Sequence, residues 1–119
     1  MDRDAAEAFA RTWVAHWNAR DLEAILGHYS EDIVFHSPRI AQVMGGNSAS
    51  VFGKAALRDY WARALKASPD LHFEYDAVFT GSDALTILYR NQRGNRVTET
   101  FIFSANGQVV RAIAAYAPA

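Results

Sequence analysis

Near residue 70 the apolar residues stop recurring every three to four positions and begin to alternate. Before that point Phe9, Trp13 and Trp17 fall at successive i, i+4 positions between Asp4 and Ala19, with Ala6 and Ala10 beside them. That spacing predicts an amphipathic helix with an aromatic stripe. Asp21 is a good N-cap for a short second helix, with Leu22, Ile25, Leu26 and Tyr29 on its buried side. Residues 54–67 return to helical spacing through Leu57, Tyr60, Trp61, Ala64 and Leu65, until Ser68-Pro69-Asp70 stops them. Beyond it, Leu71, Phe73, Tyr75, Ala77 and Phe79 share one side of a strand, and Leu85, Ile87 and Tyr89 one side of the next. Turn-forming residues at 92–96 and 104–108 then separate two further strands, which makes an antiparallel meander.

One strand interrupts the helical half. In "DIVFHSP", Ile33, Phe35 and Ser37 fall on one side and Val34 and His36 on the other, before Pro38 ends the run. Residues 39–53 contain two adjacent glycines and no sustained period, so they are predicted as a long loop, the kind that forms the mouth or lid of a site. Three helices early, one strand among them and then a run of strands predict an α+β domain whose helices cover one face of a curved antiparallel sheet. At 119 residues the chain is expected to be one domain, residues 1–119.

Within the meander, "VTETFIF" contains an anomaly. Alternation places Glu99 with Val97, Phe101 and Phe103 on the apolar face. A carboxyl there is expected on the wall of a pocket, where burial disfavours its charged form and fits it to donate or shuttle a proton. The other reading is a strand-end Glu that reaches solvent or pairs with an Arg. On the first strand only one of the neighbours His36 and Ser37 can face that pocket. Ser37 has the right side on a regular strand, and His36 takes its place if the strand rotates near Pro38. Trp13, Trp17, Tyr60, Trp61 and Tyr116 are candidates for the walls, and otherwise for ordinary core aromatics.

Composition removes several classes of function. A net charge of −1 with dispersed Lys and Arg has no footprint for nucleic acid or an anionic membrane. The charged N-terminus "MDRDAAEAFARTW" and the lack of a long apolar run predict no export or membrane span, and the absence of Cys fits a reducing cytoplasm. His16, His28 and His72 have no metal-ligand spacing, so no metal is expected, and no motif calls for a cofactor.

The order of elements, with "WNARDLEAILGHYSEDIVFHSP", "FGKAALRDYWARAL" and "FIFSANGQVVRAIAAYA", resembles the nuclear-transport-factor-2-like, or SnoaL-like, superfamily over nearly the whole chain. The resemblance implies a cone-shaped, cystatin-like α+β barrel with a pocket between sheet and helices, and homodimers that meet through the outer sheet face. That superfamily includes ketosteroid isomerases, polyketide cyclases, epoxide hydrolases and dehydratases, so fold alone does not give function. Against the ketosteroid isomerase pattern, the acid position falls on Glu99, the base position on Ser37 and the helix-one tyrosine on Trp13. Only one of three functional groups is retained, which argues against steroid isomerisation. The expectation is a protein that binds a small apolar or polyketide-like molecule and transfers a proton on it. A non-catalytic ligand-binding or dimerisation module of the same fold is the alternative.

Overall fold

The computed structural model describes residues 1–118. Helix α1 (Arg3–Asn18) starts at Asp2, whose carboxylate accepts a hydrogen bond from the Ala5 amide at 2.8 Å. It buries Ala6, Ala10, Trp13, Val14 and Trp17, the stripe that the spacing predicts. Helix α2 (Leu22–Leu26) is capped by Asp21, which accepts from the Ala24 amide at 3.1 Å. It stops at Gly27, so Tyr29 opens strand β1 (Tyr29–His36) and does not extend the helix.

The stretch predicted as one long loop folds differently. It holds a five-residue helix, α3 (Ile40–Met44), and a three-residue strand, β2 (Ser50–Phe52). Both are shorter than any period can reveal, and each is fixed by tertiary contact: Ile40 and Val51 are buried, and Val51 pairs with Phe35 of β1. Gly53, at φ 88°, then turns the chain into α4 (Lys54–Ala67).

Strands β3 (Glu74–Thr80), β4 (Ala84–Arg90), β5 (Arg96–Phe103) and β6 (Val109–Tyr116) form the expected meander within a six-stranded sheet ordered β2-β1-β6-β5-β4-β3. Two features depart from the expected antiparallel barrel. The sheet is open, with β2 and β3 as edges, and β1 pairs with β6 in parallel. A parallel neighbour requires a long crossover, which residues 37–108 provide. The third difference is a bulge between Tyr75 and Ala77 in β3. One extra residue flips the alternation beyond it, so Val78 faces inward opposite Ile87 while Phe79 is 57% exposed.

The helices cover the inner face of the sheet. The α1–α2 turn is pinned to the end of α4 by the Arg20 guanidinium, which donates to the carbonyls of Leu65 and Ser68. Asn18 holds the approach to β3 with a two-way bond, accepting from the Phe73 amide at 2.8 Å and donating to the Phe73 carbonyl at 2.9 Å. Among the described residues no helix is long and apolar enough to cross a membrane.

Candidate functional site

Glu99 stands in the middle of the sheet, opposite Ile87 on β4 and Ala114 on β6, on the face shared with Val97 and Phe101. It is 4% exposed. Tyr89, on the same face of β4, donates to its Oε1 across a long 3.4 Å. Burial pushes the Glu99 carboxyl up to about 8, and the Tyr89 hydroxyl opposes that rise only in part. At neutral pH the group is therefore mostly a carboxylic acid, able to donate a hydrogen bond.

A cavity of about 70 Å³ lies between this acid and the helices. Every pocket residue expected from the sequence except His36 lines it: Glu99, Ser37, Trp13, Trp17, Tyr60, Trp61 and Tyr116. The last strand makes the room, because Ala114 lies directly opposite Glu99 where a larger side chain would fill the space. The aromatic walls brace one another. Trp13 stacks on Phe73 at 5.8 Å, and Trp17 meets Trp61 edge-on at 5.2 Å. The Trp13 indole N–H is held by the Tyr29 hydroxyl at 3.2 Å.

His36 takes the other side of β1. Its Nδ1 lies 2.7 Å from the Ser50 hydroxyl on β2, on the outer face of the sheet. The β1–β6 register shifts between Tyr29 and Val34, but from Val34 to His36 β1 pairs in step with both neighbours, so the alternation that buries Ile33 and Phe35 gives the inner position to Ser37. Tyr60 and Tyr116 complete a polar rim with Ser37. Burial pushes the Tyr60 phenol up to about 12, against the lowering influence of Ser37. Tyr116 is raised by burial and by Glu99, with Arg39 and Ser37 pulling the other way.

Among the lining residues that the sequence did not single out, two bear on the chemistry, Tyr89 and Arg39. Tyr89 carried a usable signal, since its alternation with Ile87 puts it on the face that meets Glu99. Arg39 carried none, because it lies in the stretch read as a structureless loop.

The SnoaL-like domain family matches residues 10–116. A SnoaL-like protein of unknown function from Burkholderia thailandensis is 40% identical, with 99% of each chain covered and a TM-score of 0.90. A protein of unknown function with a cystatin-like fold from Methylobium petroleophilum is 20% identical, over all of this chain and 80% of its own, at a TM-score of 0.75. The epoxide hydrolase/cyclase-like enzyme SalBIII, of pyran ring formation in the polyether salinomycin, is 16% identical over 98% of this chain and 93% of its own, at 0.70. The last two likenesses are of fold. No curated protein matches the chain.

Proposed function

The chain belongs to the SnoaL-like domain family, and from that premise we propose that it binds a mainly apolar, polyketide-like small molecule and transfers a proton on it. The observation that carries this reading is Glu99: an acid buried among aromatic walls and beside open space, where burial raises its pKa. Such a group hydrogen-bonds a carbonyl oxygen as negative charge develops there, while solvent water takes up the α-proton, and so eases enolisation and the ring closure or loss of water that proceeds through the enolate. Ser37, Tyr60 and Tyr116 offer hydroxyls at the rim to orient the reacting oxygen. The fold-level likeness to a cyclase-like enzyme is consistent with this class of chemistry.

The cavity is less than half the roughly 150 Å³ that holds benzene in an engineered protein core. A ring-sized ligand therefore enters by displacing rim side chains outward. The small space, together with Ser37 and Trp13 where an isomerase base and phenol are expected, supports the second reading, a ligand-binding module without turnover. In either case the protein acts in a reducing cytoplasm, as a homodimer joined through the outer sheet face. That face presents Phe52, Val34, Ile113, Ile102, Leu88 and Phe79 across all six strands, with Phe52 69% exposed.

Exchange of α-protons for deuterium in 2-tetralone and cyclohexane-1,3-dione, followed by NMR in D2O, tests the proton-transfer step. The proposal expects exchange above the buffer rate and a loss of at least about tenfold in Glu99→Gln, as for removal of a general acid–base group. Equal exchange in the variant would refute the role of Glu99. Exchange at the buffer rate in the wild type favours the module without turnover.

A further inference from the structure

The cavity contains a cation that proton transfer by Glu99 does not use. Arg39 follows Pro38 at the start of α3 and lines the cavity beside Ser37, Tyr60 and Tyr116. The ion pairs among the described residues join Arg11 to Glu7, Arg58 to Glu23 and Arg63 to Asp59, so none of them engages Arg39. Its Nε–H is buried without a hydrogen-bond partner. A buried donor left unpaired is costly, and a guanidinium is the donor most suited to a planar anion. Glu99 is not its counter-ion: the hydrogen bond to that carboxyl comes from Tyr89, and no ion pair joins it to Arg39. With Glu99 neutral, the cavity carries a net positive charge.

A second donor is also unanswered. The Trp17 indole N–H is buried and has no partner, and Trp17 lines the same cavity. The site thus has two donors without acceptors, one of them cationic, in walls that are otherwise mostly aromatic. We infer that the ligand is an acidic apolar molecule whose carboxylate or enolate oxygens seat on Arg39 while its ring system packs among Trp13, Trp17 and Phe73. This rests on the pocket reading proposed above and narrows it from apolar molecules in general to apolar anions.

The test compares benzoate with benzamide, a pair of nearly equal shape that differ in charge. Binding to the nitrogen-15-labelled protein at pH 7 is read from the indole signals of Trp13, Trp17 and Trp61, which all line the cavity. Benzoate is expected to shift them at a concentration at least tenfold lower than benzamide. Arg39→Gln should bring benzoate to the affinity of benzamide and leave benzamide unchanged, while Arg39→Lys keeps part of the preference. Equal affinities in the wild type, or a preference that survives Arg39→Gln, would overturn the anion inference and leave the pocket standing. If neither these probes nor naphthoate and naphthamide move any indole signal, the pocket reading fails and takes the inference with it. The wild-type comparison decides the matter even if a variant does not fold.

Discussion

Replacing Glu99 with Gln keeps the shape of the side chain and removes its titration. The Glu99 carboxyl is raised from 4.5 to about 8 in the folded protein, chiefly by burial. In the unfolded chain it titrates near its ordinary value of about 4.3. Between those limits the folded state binds the extra proton, so wild-type stability falls as pH rises, by up to about 1.4 kcal/mol per unit. Below the lower limit both states hold a neutral carboxyl and the penalty vanishes. Above the upper limit it is fully present. The variant escapes it, and its advantage accumulates to about 4 kcal/mol at pH 7 and about 5 kcal/mol at pH 8. The phenols around Glu99 do not blur this window: Tyr29, Tyr60, Tyr89 and Tyr116 are all raised by burial and stay neutral. Urea unfolding of both proteins at pH 5, 6, 7 and 8 measures the difference. Profiles that run parallel to within about 0.5 kcal/mol would show that Glu99 titrates alike in the folded and unfolded protein. A penalty of this size is a large part of an ordinary domain's stability, and it is the expected cost of holding an acid ready for use.

Two further outcomes follow from the fold. Ile113→Glu, at the centre of the outer sheet face opposite Thr100 and His36, should convert a homodimer to a monomer in size-exclusion chromatography with light scattering; an unchanged mass would remove the sheet face from the interface. Gly53→Ala should lower stability by about 1–2 kcal/mol in chemical denaturation, because φ 88° strains any Cβ even though the nearest atom to it, the Glu31 carbonyl oxygen, is 3.8 Å away. A neutral effect would show that the α4 entry relaxes freely.

The long elements were legible because their periods run over enough residues to be counted. The α1 stripe, the Asp21 cap and the placement of Glu99 beside Val97 and Phe101 all follow from spacing. Ser37 was legible for the same reason, since the register shift in β1 lies before Val34 and the end of the strand alternates in step with its neighbours. What escaped depends on contacts remote in the chain. Helix α3 and strand β2 exist because β1 and the core fix them, so Arg39 at the start of α3 had no visible role. The β3 bulge was hidden because an alternating sequence does not mark where an extra residue is inserted, and it turned Phe79 outward against its apparent pattern. The parallel β1–β6 pairing is a property of topology that no local window contains.

On this reading the fold keeps an acid protonated on the wall of a pocket. Carbon-detected NMR titration of the Glu99 side-chain carboxyl, with Glu99→Gln to assign the signal, tests it most directly. A midpoint of about 8 is expected. A midpoint near the ordinary Glu value of about 4.3 would mean that the carboxylate is solvated or compensated in the folded protein, and that Glu99 is not held as an acid.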